Sequence, residues 1–331
     1  MKNKTIMTCK ATLLSLLVSP SLYADETVYP LQVNSCDHVI TFNEPPKRAV
    51  FHDLNMTQMA LALGLQTNMV GVSGVSGWYK TTKEFNDALG NIPEISNKYL
   101  TLESLINVNP DFLFAGWNYG LKMGSELTPD NISRFSINTL VLSESCAHTS
   151  KKRDNANMNL LYDDILKLGE IFNKQDKAEQ LVNTWKQELA VLKDKIGDQK
   201  KKKVFLYDSG TDKPFTSGKF AMPEALINAA GGINVMHDAP FSWATTSWES
   251  VAVNNPEMII LVDYSGHISQ EDKSLESELE SNPIMKETNA VKNKNYLTLS
   301  YGEITPGPNN IQAIKKIAAT LYPEAGININ E

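Results

Sequence analysis

The hydrophobic and polar positions of the chain follow the same pattern twice. Each copy has a short polar segment that ends in Asn-Pro and is followed by an unbroken apolar run, residues 112–115 in one copy and 258–262 in the other. Thr101 and Ser247 open the two copies and can cap a short helix, which Asn-Pro then ends because the residue before proline avoids the α conformation. Apolar runs of this length are typical of strands buried on both faces. The repeat therefore predicts two similar α/β halves.

Each half also alternates short apolar runs with capped amphipathic segments, an order that is typical of a parallel sheet covered by helices. Between the halves, residues 176–196 carry apolar positions at helical spacing and would form a helix about 30 Å long. We therefore predict an α/β fold with two Rossmann-like lobes joined by one long helix. The predicted N-terminal lobe spans residues 25–157, the helical connector 158–197 and the C-terminal lobe 198–331.

Composition and charge narrow the class of protein. A chain of 331 residues with 42% hydrophobic and 21% charged residues is expected to be globular and is long enough for two domains. Its formal net charge of −7 argues against nucleic-acid binding, which usually requires a basic face. The sequence contains no apolar stretch of about 18 residues, so we expect no insertion into a membrane.

The N-terminus has the pattern of a secretory signal peptide. Lys2, Lys4 and Lys10 give a basic start, residues 11–18 form a short apolar core, and Ala24 is a suitable residue before a cleavage site. Residues 1–24 are therefore predicted to direct export to the periplasm and to be removed. An ordinary N-terminal helix is the alternative.

Two cysteines remain after this segment. Cys36 and Cys146 would lie in an oxidising compartment, where paired cysteines usually form a disulfide. Such a bond would join two parts of the predicted N-terminal lobe. The alternative is a pair of buried free thiols.

Aromatic residues cluster in the loops that follow the predicted strands, where open α/β sheets bind their ligands. Seven of them occupy such loops in both halves: Trp78, Tyr79, Trp117, Tyr119, Trp243, Tyr264 and Tyr301. The loop after residues 204–207 adds Lys213 and Phe215, and Lys80, Lys122 and Arg134 are further sources of positive charge. Aromatic faces with a few polar groups predict a site for a bulky, partly apolar ligand.

Motifs for catalysis are scarce. The chain has no Gly-x-Ser-x-Gly, no Walker loop, no Cys-x-x-Cys and no His-Glu-x-x-His. We therefore expect no enzyme activity and no intrinsic cofactor, and an exported hydrolase is the alternative from another class. A third hypothesis is direct binding of Zn²⁺ or Mn²⁺ by His52, His237, His267 and Asp263, although no spacing enforces it.

Several motifs, in this order and spacing, resemble the substrate-binding proteins of ABC importers for iron–siderophore complexes, haem and cobalamin. They are Pro45-Pro46-Lys47-Arg48, Leu102-Glu103-Ser104 with Asn109-Pro110-Asp111, the long mid-chain helix, Phe220-Ala221-Met222-Pro223 with Gly231-Gly232, and Trp248-Glu249 with Asn255-Pro256. The resemblance implies two lobes with the ligand in the cleft between them. It also implies that Glu103 and Glu249, one on each lobe, dock on arginines of the membrane permease.

The resemblance further implies a ligand and partners. We expect the protein to be a monomer that binds a ferric siderophore and delivers it to a transmembrane ABC permease with a cytoplasmic ATPase. Aromatic walls with a few cations suit a catecholate or mixed-type chelate, but the scarcity of arginine puts a strongly anionic triscatecholate in doubt. Haem and cobalamin remain alternatives, and so does direct ligation of iron by Tyr79, Tyr119, Tyr264 or Tyr301.

Overall fold

The computed structural model describes residues 26–79, 81–150, 153–264 and 270–329. The predicted signal peptide, residues 1–24, lies outside these ranges. No helix in the described ranges is long and apolar enough to cross a membrane.

The first lobe is built on a parallel sheet. Its strands are Leu31–Ser35 (β1), His38–Phe42 (β2), Ala49–His52 (β3), Met69–Ser73 (β4), Glu94–Ser96 (β5), Phe112–Trp117 (β6), Gly120–Leu121 (β7) and Asn138–Val141 (β8). Its helices are Leu54–Leu63 (α1), Lys83–Leu89 (α2), Leu102–Ile106 (α3) and Pro129–Ser133 (α4). The strands lie in the order β5-β4-β3-β6-β8, with β7 beside the end of β6, and β1 and β2 form a separate antiparallel hairpin.

Two helices connect the lobes, Asn159–Ile171 (α5) and Gln175–Ile196 (α6). The 22 residues of α6 confirm the predicted long helix and correspond to about 33 Å. Gly169 of α5 faces Ala178 of α6 so closely that a Cβ atom at Gly169 would lie 2.5 Å from the Ala178 Cβ atom. The absence of a side chain at Gly169 therefore sets how closely the two helices pack.

The second lobe repeats the architecture of the first. Its strands are Lys203–Tyr207 (β9), Phe215–Ser217 (β10), Ile233–Asn234 (β11), Trp243–Thr245 (β12), Met258–Asp263 (β13) and Tyr296–Ser300 (β14). Its helices are Met222–Ala229 (α7), Trp248–Val253 (α8), Gln270–Ser281 (α9), Asn289–Lys292 (α10), Tyr301–Ile304 (α11) and Asn310–Leu321 (α12). The main sheet is parallel in the order β11-β9-β13-β14. Two Rossmann-like lobes with separate sheets confirm the predicted fold class, whereas the exact domain boundaries stay a prediction.

The sequence repeat is a structural repeat. The Thr101 hydroxyl accepts the backbone N–H of Ser104 at the start of α3, and the Ser247 hydroxyl accepts that of Ser250 at the start of α8. Asn109 and Asn255 both have φ of 45°, so the residue before each proline is left-handed rather than extended. Asparagine tolerates this conformation better than most residues.

One apolar core joins the two lobes. Buried side chains of the first sheet, of α5 and α6, of α12 and of the second sheet form a continuous cluster. The predicted disulfide is present: the Sγ atoms of Cys36 and Cys146 are bonded, and their Cα atoms are 5.3 Å apart. It attaches the turn of the β1–β2 hairpin to the segment that follows β8.

Candidate functional site

Two cavities lie where the lobes face each other. The first, of about 370 Å³, is lined by Gln58, Tyr79 and Phe85 of the first lobe and by Asp263, Tyr264, Tyr301 and Glu303 of the second, among others. The second, of about 420 Å³, is lined mainly by the first lobe and includes His52, Asp53, Trp78, Lys98, Tyr119 and Lys122. Tyr79 and Tyr301 line both cavities and therefore separate them.

Three tyrosine rings close the space between the lobes. Tyr79 of the first lobe stacks on Tyr301 of the second, with ring centroids 4.3 Å apart and planes 18° apart. Tyr264 lies beside this pair, 6.4 Å from Tyr79 and 5.7 Å from Tyr301. These distances are those of interacting aromatic pairs. The three residues that the sequence placed in separate loops are thus brought together across the cleft.

Asp53 holds this cluster from the first lobe. It follows β3 with φ of 69°, and its carboxylate accepts the backbone N–H of Leu54 and, at 3.0 Å, the hydroxyl of Tyr301. Burial raises the pKa of Asp53 to about 6, although hydrogen bonds from Leu54, Tyr301 and Tyr79 oppose the rise. The sequence analysis did not single out Asp53, because its partner Tyr301 is 248 positions away.

Asp208 is the equivalent residue of the second lobe. Ala49 of β3 pairs with Phe112 of β6, and Val204 of β9 pairs with Met258 of β13, which stands in the same place of the repeat as Phe112. Asp53 lies four residues after Ala49, and Asp208 lies four residues after Val204, so the two aspartates occupy equivalent positions. The Asp208 carboxylate accepts the Tyr264 hydroxyl at 2.6 Å, and burial raises the pKa of Asp208. Each lobe therefore presents a buried aspartate that binds a tyrosine of the cleft.

Glu144 makes a further contact between the lobes. It lies after β8, is 2% exposed and accepts the backbone N–H of Met222, at the start of α7, at 2.7 Å. Burial raises the pKa of Glu144 to about 7, although hydrogen bonds from Met222 and Tyr119 oppose the rise. The sequence analysis did not single out Glu144, and no local pattern marks it.

The other predicted aromatic residues are more scattered. Tyr119 lines the second cavity, and burial raises its pKa well above the usual value. Trp78 is 41% exposed at the rim of that cavity, beneath the ammonium group of Lys98. Trp117 packs against the core of the first lobe instead. Trp243 stacks on Phe215, with centroids 6.0 Å apart, and neither ring lines the two cavities.

The predicted cations are not concentrated in the cleft. Lys122 lines the second cavity, but Lys213 and Arg134 are exposed and line neither cavity. Lys80 lies outside the described residues. Lys316 lines the first cavity and forms an ion pair with Glu303 at 2.5 Å.

Of the residues suggested for direct metal binding, the three that the structure describes, His52, His237 and Asp263, do not form a common site. Within the described ranges, no group of three or more His, Cys, Asp or Glu side chains could hold a metal ion, and His267 lies outside those ranges. His52 lines the second cavity, where its Nδ1 atom is 2.8 Å from the Ser73 hydroxyl. Burial lowers the pKa of His52 to about 4, so the ring is neutral at pH 7.

The two glutamates predicted to dock on a permease occupy matching places. Glu103 and Glu249 lie in the first turns of α3 and α8, and both are exposed. Neither forms a salt bridge with a residue of the described part of the chain.

Comparison with known proteins gives consistent similarities. Residues 50–300 match the family model described as "Periplasmic binding protein". An uncharacterised ABC transporter substrate-binding lipoprotein of Bacillus subtilis is 22% identical over 302 residues, 90% of this chain and 87% of that protein. A vitamin B12-binding protein of Salmonella paratyphi A is 26% identical over 213 residues, 64% of this chain and 71% of that protein. A periplasmic binding protein structure from Veillonella parvula superposes with a TM-score of 0.78 at 27% identity, covering 88% of this chain and 97% of that one.

Proposed function

Because the chain belongs to the periplasmic binding protein family, whose members serve ABC importers, we propose that it captures a ferric siderophore between its lobes. It releases this ligand to an inner-membrane permease that a cytoplasmic ATPase drives. The predicted signal peptide, cleaved near Ala24, would bring it to the periplasm, where it acts as a monomer. Glu103 and Glu249 would dock on the permease, one from each lobe.

The main support for the proposal is the tyrosine cluster between the two cavities. Tyr79 and Tyr301 come from different lobes and form a thin wall between spaces of about 370 and 420 Å³. Each volume lies in the range of small-molecule sites. Separation of the two rings would join the cavities into one aromatic-walled site. A siderophore already coordinates its iron, so the protein needs only to enclose the chelate.

Haem and cobalamin fit the cleft less well. The Tyr301 hydroxyl donates to Asp53, so it would have to leave that carboxylate before it could ligate haem iron. A corrinoid with its nucleotide loop is larger than a siderophore and would require wider separation of the lobes. The similarity to vitamin B12-binding proteins nevertheless makes cobalamin the second candidate.

Titration of tryptophan fluorescence against ferric siderophores, haem and cobalamin tests the proposal. Trp78 stands at the rim of the second cavity, so a ferric siderophore should quench its emission. Trp78→Phe should remove most of the quenching while calorimetry gives a similar Kd. Trp185→Phe is the matched control, because Trp185 is buried on α6 and its replacement should leave the quenching intact. Tighter binding of haem or cobalamin than of every ferric siderophore would refute the proposal.

A further inference from the structure

We propose that the first cavity is an ammonium-binding subsite, so that the preferred ferric siderophore carries a positively charged amine arm. The inference rests on the proposed function and adds the charge of the ligand to it. It depends on the three tyrosine rings of the cleft, on the carboxylates behind them and on an unpaired acceptor in the cavity wall.

The tyrosines offer ring faces rather than hydroxyl donors. The Tyr301 hydroxyl donates to Asp53, and the Tyr264 hydroxyl donates to Asp208, so neither proton is free for a ligand. A phenol that donates to a carboxylate is polarised toward a more electron-rich ring. Tyr79 and Tyr301 stack on each other in this structure, and when the lobes separate, the ring faces that they release would bind an ammonium group through cation–π attraction. The cluster of Tyr79, Tyr264 and Tyr301 thus favours a cation over an anion.

The polar groups around the first cavity also favour a cation. Glu303 and Lys316 both line it and form an ion pair with each other, so neither charge repels an incoming cation. The Oε1 atom of Gln58, also in the lining, is buried and has no hydrogen-bond partner among the described residues. A buried acceptor without a partner costs free energy that a donor on the ligand would recover. An ammonium group supplies three such donors.

The second cavity has a different character, which orients the ligand. Lys98 and Lys122 lie in its lining, on the far side of the Tyr79–Tyr301 pair from the first cavity. The carboxylate of Asp53 lies there too, but it already accepts hydrogen bonds from Leu54 and Tyr301. The oxygen donors around the iron carry negative charge and suit this side. The chelated iron would therefore occupy the second cavity, and the amine arm would extend past the separated rings into the first.

Three ferric chelates test this assignment: a linear trihydroxamate with a terminal ammonium group, the same compound with that amine acetylated, and a strongly anionic triscatecholate. The ammonium form should bind about tenfold more tightly than the acetylated form, a difference of about 1.4 kcal/mol that lies within the range of a desolvated cation–π contact. The triscatecholate should bind weakest. Calorimetry at pH 7 gives the three Kd values.

Substitutions near the first cavity test whether that cavity causes the difference in affinity between the ammonium and acetylated forms. Asp208→Asn and Tyr264→Leu should each reduce the ratio between the Kd values of the acetylated and ammonium forms. A structural disturbance would instead weaken both forms equally and leave the ratio unchanged. Asp194→Asn, an exposed change on α6, is the matched control and should keep the wild-type ratio.

The possible failures are distinct. The ammonium subsite would be overturned if the ammonium and acetylated forms had equal Kd values, or if the triscatecholate bound most tightly. Either result would leave the proposal of siderophore capture in place. An unchanged ratio in both Asp208→Asn and Tyr264→Leu would also overturn it. Binding of haem or cobalamin with no binding of any ferric chelate would overturn both proposals.

Discussion

The buried carboxyl group of Glu144 makes the stability of the protein depend on pH. Burial raises its pKa from 4.5 to about 7 in the folded state. Between these values the folded protein binds the proton more tightly than the unfolded chain does. The contribution of Glu144 to the free energy of unfolding is therefore greatest below about pH 4.5 and is lost as the pH rises through about 7. At about 1.4 kcal/mol per pKa unit, the loss is about 3 kcal/mol.

Glu144→Gln isolates this effect. The amide oxygen of glutamine can still accept the N–H of Met222, but the side chain does not titrate. We expect the variant to be more stable than the wild type by up to about 3 kcal/mol at pH 8 and to differ little from it at pH 4.5. Urea unfolding at pH 4.5, 6 and 8 gives the free energies. The difference between the two proteins should grow steadily over this range.

Two controls accompany the experiment. Burial also raises the pKa values of Asp53 and Asp164 to about 6, so both proteins should lose stability with rising pH for this further reason. That background cancels in the difference between them. Glu179→Gln, the same chemical change at an exposed position of α6, is the matched control. An identical effect of Glu144→Gln at pH 4.5 and pH 8 would refute the assigned role of burial.

Three further predictions concern other parts of the fold. Replacing Cys36 and Cys146 by Ser should lower the free energy of unfolding in urea by about 4–5 kcal/mol, since the bond closes a loop of 110 residues, and unchanged stability would contradict this. Glu103→Lys with Glu249→Lys should stop uptake by cells but leave the Kd for the ferric chelate unchanged; weaker binding would place these residues in the ligand site. Asn109→Val should cost about 1–2 kcal/mol and Asn109→Gly much less, because φ is 45°, and equal losses in urea unfolding would argue against backbone strain.

The features that could be predicted from the sequence are those with local signals. Thr101 and Ser247 cap their helices through groups three positions away, and the apolar runs that follow form β6 and β13. A short-range pattern also predicted α6, because its apolar residues keep helical spacing along the whole helix. The two-lobe fold followed because the local unit occurs twice.

The candidate site was only partly predictable, because its contacts join distant parts of the chain. The loops that carry Tyr79, Tyr264 and Tyr301 could be identified, but not that Asp53 binds a tyrosine 248 positions later. Lys213 was expected to supply charge to the cleft, but its exposed side chain lines neither cavity. Which loop residues face the cleft depends on how the two sheets are oriented, and no local pattern encodes that orientation.

The repeat places equivalent aspartates in the two lobes, but the two aspartates have different roles. Asp208 binds Tyr264 of its own lobe, so that contact persists when the lobes move. Asp53 binds Tyr301 of the opposite lobe, so opening of the cleft must break this hydrogen bond and separate Tyr301 from Tyr79. Because one apolar core runs through α5 and α6 into both lobes, we expect the opening motion to be small. Even a small opening removes this specific set of contacts, and an entering ligand must replace them with its own.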